Sequence, residues 1–577
     1  LRSLAAVRIG CALLILFDLA QRSTDLVAHY SDFGVAPRAL VIEHSNSRWA
    51  LSLHYVSGVW QVQALLFFLA AVAAAALLVG YRTRLAAILS WVLFTSVCVR
   101  QPFVVQGGEI MLRVILFWAM FLPWGAVYSV DSSWRDDPAP RWPRQYLSWA
   151  TAAYAFQILF IYAFSVTLKS GAQWWSEGSA VYYALNIDSL VTPIGKMLLY
   201  LPYPLLQCAT WAVMIFEITG PMLLLLPVKS GKLRLFAVGG FILLHVNFLL
   251  TMFIGIFPLI NIIAMLFFVP AMFWDWLAQR LEKSAGAAVT IYYDHDCGFC
   301  WRAVRLIKTF CYMPQASIAG AQTVPDIAAE LAQRNSWIVV DGAGKRHYSY
   351  DGVTVVAAAS PLLLPLLPLL NFAPVAWLGE HLYRFVATHR RSICPMPESA
   401  LTHVWSFPRL RAVGNIFIAA LIPYVFVLNL ASVPALGLKL PETVLALGVV
   451  TGLNQGWSLF APFPAKDDGW FVIPGKLRNG TTVDLFRDGK EVSFVKPAYG
   501  SLEYKNYRWR KYMEQMRKRD YLQPVYAAYL CRESHRRHQS GEALAELEII
   551  YVLEWTQPVT EYSPIEKQSV YKFKCGV

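Results

Sequence analysis

Three groups of residues in this chain combine type and spacing in ways that could do chemistry. Lys169 closes the apolar run IYAFSVTL (161–168) and stands five residues before Trp174. A lysine ordinarily keeps its proton up to about pH 10.4, so base work near neutrality requires an environment that makes the ammonium form costly. Desolvation against apolar walls is such an environment. The same position also suits a lysine that sends its amine to the membrane surface beside interfacial tryptophans. The second group is Glu109, Arg113, Glu217 and His245, which lie inside apolar runs. Ionisable residues there are expensive and count as functional-site candidates by default. Each also has a structural reading. Glu109 and Arg113 can pair on one helix face. Glu217 precedes Thr219-Gly220-Pro221 and can satisfy backbone freed at a kink. His245 can hydrogen-bond a carbonyl two helices away. The third group is Cys297 and Cys300 in VTIYYDHDCGFCWRAVRLIKTF (289–310).

That string reads as a strand, a turn and a helix, because VTIYY is β-branched and aromatic while the rest has helical apolar spacing. Cys297 then falls near the helix N-terminus, where backbone N–H groups and the helix dipole favour a thiolate. Cys300 sits a turn deeper and can resolve a mixed disulfide. A zinc half-site would need further ligands, and His295 and Cys311 are poorly spaced for it. No metal is expected. An inert cysteine pair is the other alternative.

The elements that carry the first two groups are membrane spans. The chain has 577 residues, 57% of them hydrophobic and 15% charged, with 21 tryptophans and 28 tyrosines, which is outside the soluble class. Apolar stretches long enough to cross, about 20 residues each, are 3–20, 58–79, 84–101, 110–129, 147–168, 205–227, 234–253, 256–277 and, apart from these, 411–431. The first carries Arg8 and Asp18, shows no cleavage site, and is read as a retained helix. Arg82 and Arg84, then Arg135, Arg141 and Arg144, then Lys229, Lys232 and Arg234, and finally Arg280 and Lys283 fall on one side, which is therefore cytoplasmic. Lys169 then faces outward, 279–410 is cytoplasmic, and 432–577 is outside. The stretch 441–455 is too short to cross. The net charge of +13 is spread over loops and tail and suits anionic lipid better than nucleic acid.

YSDFGVAPR (30–38), QGGEIMLRVILFWAMFLPWGAVYSVDSSW (106–134), HVNFLLTMFIGIFP (245–258) and, in the tail, NQGWSLFAPFPAKDDGW (454–470) resemble the HTTM family, which includes the vitamin-K-dependent γ-glutamyl carboxylases. The resemblance covers about the first 280 residues and returns in the tail. It implies that Lys169, before Trp174, is the base that deprotonates vitamin K hydroquinone. The anion then reacts with oxygen to give a stronger base, a glutamate γ-proton is removed, and the carbanion takes up carbon dioxide. Gly108-Glu109 replaces the family's Asn-His pair. A carboxylate near Lys169 would oppose the base role and leaves Glu109 as an alternative base. Asp294, Cys297 and Cys300 resemble the DCC family of thiol–disulfide oxidoreductases over 288–395, which implies a thioredoxin-like fold and a redox-active dithiol.

In the tail, 470–477, 481–486 and 491–495 read as hairpin strands, 506–530 as a basic helix with a solvated, lipid-facing surface at 508–519, and 543–555 as a further strand. Cys531 and Cys575 can pair if that side is oxidising. The expected architecture is a multi-span α-helical membrane bundle of about nine spans (1–280 and 411–431), an inserted thioredoxin-like α/β domain at 288–400, and a C-terminal β-rich α+β domain at 441–577. The apolar, proline-broken stretch 359–378 belongs to the inserted domain and lies near the membrane. The expected protein is a bacterial inner-membrane enzyme acting on a lipid-soluble quinol or other lipid substrate, with a peptide substrate on the outer side as a further partner. The alternative is a membrane-anchored dithiol enzyme whose bundle only binds. Lys169 and the thiols fall on opposite faces, so coupling them needs a mobile carrier.

Overall fold

A computed structural model describes residues 1–45, 47–135, 146–226, 231–284, 288–393, 408–537, 543–557 and 565–576. Arg141, Arg144 and Lys229, used above for sidedness, lie outside these residues. Among the described residues, seven helices are long and apolar enough to cross a membrane: Arg2–Ser23, Trp60–Val79, Thr83–Arg100, Trp149–Leu168, Tyr203–Leu225, Lys232–Thr251 and Val413–Leu430.

Two expected spans differ. The fourth is a 13-residue helix, Gly107–Ala119, about 20 Å long against a hydrocarbon core of about 30 Å. Its residues from Met111 to Ala119 are all buried, so other helices and not lipid surround it. The chain leaves the helix before Pro123, which cannot continue it. The eighth is broken: Phe257–Phe268 and Ala271–Lys283 meet at 93°. Gly108 explains how the short helix fits, since a Cβ there would lie 2.6 Å from the Phe257 amide nitrogen. Only glycine allows that approach.

The inserted unit carries a four-stranded sheet in the order β2-β1-β3-β4, with β1 Thr290–Tyr293, β2 Ser317–Gly320, β3 Ile338–Val340 and β4 Arg346–Tyr348. β1 and β2 are parallel, joined through the helix Gly298–Phe310, and the other pairs are antiparallel. The helix Ala373–Ile393 packs against Gly298–Phe310. It leaves Trp377, Leu378, Leu382 and Phe385 exposed, at helical spacing.

The tail sheet is built on the 12-residue strand β8, Leu544–Trp555. β5 (Asp467–Val472) and β6 (Pro474–Leu477) pair along one edge, β7 (Thr482–Asp484) follows β6, and β9 (Glu566–Lys574) covers the other edge. Residues 491–495 are not a strand; only Lys490 bridges to Asp484. The expected basic helix is two, Tyr507–Lys518 and Gln523–Arg537. Its basic residues are not all solvated: Lys518 is exposed, while Lys511, Arg517 and Arg519 are partly buried. Arg508 and Arg510 are buried, because the first of these helices packs its N-terminal turn into the bundle.

Candidate functional site

Lys169 ends the Trp149–Leu168 helix as its C-cap, and its backbone turns so that the carbonyl accepts a 2.7 Å hydrogen bond from Trp175 Nε1. The side chain does not reach for the surface. It is 4% exposed, its Nζ forms an ion pair with Glu217, and it lies 4.6 Å from the centre of the Trp174 ring. Trp174 is fixed in turn by a 3.0 Å hydrogen bond from its Nε1 to the carbonyl of Phe460, in the tail segment 454–470. Glu217 therefore serves Lys169 and not a backbone kink, although Pro221 does lie in its helix.

Lys169, Trp174, Glu217 and His245 line one cavity of about 680 Å³, together with Tyr162, Asn261 and many aliphatic side chains. His245 is buried, and its Nε2 meets the Tyr162 hydroxyl at 2.8 Å. The expected carbonyl partner is thus replaced by a phenol. His245 Nδ1 has no hydrogen-bond partner. Tyr162 Oη is 3.5 Å from Asn261 Oδ1. Tyr162 and Asn261 were not among the residues singled out from sequence. Tyr162 is seven residues before Lys169, two helical turns back on the same face, and Asn261 is a lone amide in an apolar run. Both signals were present. The cavity thus has an ion pair at one place, a phenol–imidazole pair at another, and apolar walls between. Its tail-facing part is lined by Asp468, Arg510 and Glu514, among others. Burial and the neighbouring Asp188 carboxylate push the Asp468 carboxyl up to about 7.

Glu109 and Arg113, the other candidates in apolar runs, lie away from Lys169. Glu109 Oε1 accepts from Arg22 Nη2 at 3.2 Å and from the Tyr507 hydroxyl at 2.9 Å. Its Oε2 accepts from the Gln106 amide at 3.1 Å. Arg22 also holds Asp18 at 2.5 Å and the Tyr30 hydroxyl at 2.6 Å, and Arg508 from the tail completes the group on Asp18. Arg113 does not pair with Glu109. Its Nη2 donates to the Asn454 carbonyl at 2.6 Å and to the Asn454 side chain at 2.9 Å. Neither side chain lines the cavity. Both tie the tail to the bundle.

In the inserted unit Cys297 is the N-cap of the Gly298–Phe310 helix, and its Sγ accepts from the Cys300 amide at 3.4 Å. Cys297 is buried and Cys300 is partly exposed. Burial, with the neighbouring Cys297 sulfur, pushes the Cys300 thiol up to about 12. Asp294 Oδ1 accepts from the Asp296 amide at 3.2 Å and from Gln322 Nε2 at 2.9 Å. Arg390, missed in the sequence reading because it lies 90 residues away, reaches Cys300 Sγ at 3.5 Å through Nη1. This unit meets the bundle through Arg305, whose Nη1 donates to the Arg135 carbonyl at 2.6 Å, and Arg302 over the Trp134 ring. Those contacts follow the C-terminal end of the Gly107–Ala119 helix, whereas Gln106 and Gly107 at its N-terminal end line the Lys169 cavity. In the tail, Cys531 and Cys575 form a disulfide.

Residues 2–276 match the model of the HTTM domain, and residues 291–396 match that of the DCC1-like thiol-disulfide oxidoreductases. No match was found among curated proteins or among solved structures. The chain is thus a membrane protein in which an HTTM domain is followed by a DCC1-like thiol-disulfide oxidoreductase domain.

Proposed function

We propose that the bundle is an enzyme that takes a lipid-soluble quinol into the Lys169 cavity and removes a proton from its ring hydroxyl. The observation that carries this reading is a buried, cross-helix ion pair lining an apolar, aromatic-walled cavity of about 680 Å³, a size suited to a small bicyclic ligand. Lys169 or the Lys169–Glu217 pair as a unit receives the proton, the Tyr162–His245 pair and the open Nδ1 orient the ligand's polar groups, and the Trp174 ring, held by the Phe460 carbonyl, walls the amine on one side. The replacement of the family's Asn-His pair by Gly108-Glu109 weighs against carboxylation as the fate of that anion.

The DCC1-like unit adds dithiol–disulfide exchange at Cys297 and Cys300, with reducing equivalents passing to the same quinone pool: two thiols become one disulfide as a quinone becomes a quinol. The β2-β1-β3-β4 order supports a thioredoxin-like reading of this unit. Its contact with the bundle beyond the far end of the Gly107–Ala119 helix supports opposite sides for thiols and cavity, with the quinol as the mobile carrier. The arginine and lysine distribution supports a cytoplasmic dithiol unit and an exoplasmic tail, and the exposed face of the Ala373–Ile393 helix suits contact with lipid. A second reading has one observation in its favour. Lys169 is closed in an ion pair, as in a bundle that binds without turnover and leaves the dithiol as the only chemistry.

Purified protein in vesicles, given a reduced naphthoquinone with dissolved dioxygen as the oxidant and read by quinol consumption above the rate without protein, separates the two. Lys169→Ala is expected to lower turnover by about 100-fold or more with the fold retained, the scale of losing a general base. Cys297→Ser is expected to abolish only dithiol-driven quinone reduction. A Lys169→Ala protein that turns over at the parent rate leaves the dithiol reading standing alone.

A further inference from the structure

Arg390 is delivered to the dithiol by the last turns of the Ala373–Ile393 helix, which packs against the Gly298–Phe310 helix that carries the cysteines. It is 7% exposed. Its Nη1 donates to Cys300 Sγ at 3.5 Å, its Nη2 donates to Asn335 Oδ1 at 2.9 Å, and Nη2 lies 3.6 Å from Asp294 Oδ2. A guanidinium keeps its charge in any accessible pH range and presents its donors in a fixed fork. Here one prong is anchored on a side-chain carbonyl and the other is aimed at sulfur.

The two cysteines do not share the helix N-terminus equally. Cys297 Sγ already accepts a backbone N–H, and Cys300 sits a turn deeper, half-buried and without that help. Cys297 is suited to attack first. The Cys300 thiolate forms only later, when it must displace the substrate from the mixed disulfide. We propose that Arg390 is a third catalytic group of the DCC1-like unit, whose guanidinium holds the negative charge that develops on Cys300 sulfur during this resolving step.

The balance is as follows. Cys297 thiolate attacks a substrate disulfide R–S–S–R′, forming Cys297–S–S–R and releasing R′S⁻, which takes a proton. Cys300 loses its proton to solvent, attacks Cys297 Sγ, forms the Cys297–Cys300 disulfide, and releases RS⁻, which takes a proton in turn. Two protein thiols are oxidised and one substrate disulfide is reduced to two thiols. Run backwards, the same contact stabilises Cys300 as the first leaving group.

The test uses the full-length protein carrying Cys297→Ser, so that Cys300 alone reports, with iodoacetamide alkylation of Cys300 followed from about pH 7 to 10 by mass spectrometry. Arg390→Gln keeps a donor without charge and is expected to slow alkylation about tenfold at every fixed pH in this range, all of which lies below the Cys300 midpoint. Arg390→Lys is expected to stay within about threefold of the parent, since it keeps the charge. Equal rates in parent and Arg390→Gln overturn the proposal, as does an Arg390→Lys as slow as Arg390→Gln. Should Arg390→Gln not fold, Asn335→Gly decides. Asn335 has a positive φ of 47°, which glycine accepts, and its loss frees the guanidinium from its anchor. Slower alkylation supports the role and an unchanged rate overturns it. Disulfide reductase turnover of the parent, set against Cys297→Ser as the inactive reference, tests whether the pair is redox-active at all, so that failure is told apart from failure of the arginine.

Discussion

Two buried ionic groups lie in the membrane bundle, and they are made of the same parts. At one, Lys169 meets Glu217; at the other, Asp18, Arg22 and Glu109 meet Tyr507 and Arg508 of the tail. All of these charges are nearly or wholly buried. The difference is what lies beside them. The first pair lines a cavity of about 680 Å³. The second is packed shut by Tyr30, Tyr507 and the short Gly107–Ala119 helix. A buried charge is therefore not by itself a site. Space next to the charge makes it one, and packing around the charge makes it a clamp.

The comparison breaks most readily at the clamp. Arg508→Met leaves Asp18 in the interior with one guanidinium where it had two. Stranding a buried charge costs roughly 3–5 kcal/mol. The expected outcome is a large drop in the thermal unfolding midpoint of detergent-purified protein and an early loss of the tail's protection from protease. Asp18→Asn in the same chain should recover part of the loss, because the stranded charge is then gone. An Arg508→Met protein within about 1 kcal/mol of the parent would sink the clamp reading, since exposed pairs have that size.

A smaller effect sharpens the contrast at the cavity's outer rim. Asp468 is buried, and its Oδ2 accepts the Asp188 amide at 2.9 Å. Its carboxyl is pushed up to about 7 from an ordinary 3.8, by burial first and then by the Asp188 carboxylate. Asp188 itself is held down by Lys496 and Lys196, despite its burial. Between these limits the folded state binds a proton that the unfolded state has released. The sign follows: this group's contribution is full below about pH 4 and is lost as pH rises through about 7, with a slope of up to about 1.4 kcal/mol per pH unit. Asp468→Asn keeps the acceptor and removes the titration. Its unfolding midpoint relative to the parent should therefore rise between about pH 5.5 and 7, by about 2 kcal/mol in stability. A pH-independent difference would place the titration elsewhere.

The spans, the dithiol on a strand–helix junction and the central tail strand were legible because periodicity and composition are local properties. What was not legible depended on neighbours distant in sequence. The run 110–129 is apolar enough to cross a membrane, yet it is a short helix wrapped by others, and only Gly108 against Phe257 hints at why. Glu109 and Arg113 suggested an i, i+4 pair, but each found a better partner hundreds of residues away, Tyr507 and Asn454. The basic residues after 507 looked like a solvated face because charge is usually solvated; Asp18 inside the bundle reversed that for Arg508, and Glu514 on the same helix pairs with Arg510. Lys169 and Glu217 were both singled out, Glu217 with a backbone kink as its alternative reading, but nothing in the sequence paired them. No local pattern joins positions 48 residues apart on different helices.

The smallest stability effect is expected where the effect on activity is largest. Lys169→Met leaves Glu217 without its partner and Glu217→Gln leaves Lys169 without its own, whereas Arg508→Met leaves Asp18 still held by Arg22. In a closed interior the first two would cost at least as much as the third. The cavity changes this, because water admitted beside the remaining charge can solvate it, or supply the proton that neutralises it, so the loss should fall to about 1 kcal/mol. Thermal unfolding of the three proteins side by side measures the difference directly. If Lys169→Met is destabilised as strongly as Arg508→Met, water does not reach the amine and neither does a ligand's hydroxyl. The ion pair is then a second clamp, and proton abstraction in the bundle loses its physical basis. If Lys169→Met is nearly as stable as the parent yet consumes no quinol, buried charge kept at the edge of open space is accounted for by chemistry, since folding does not require it.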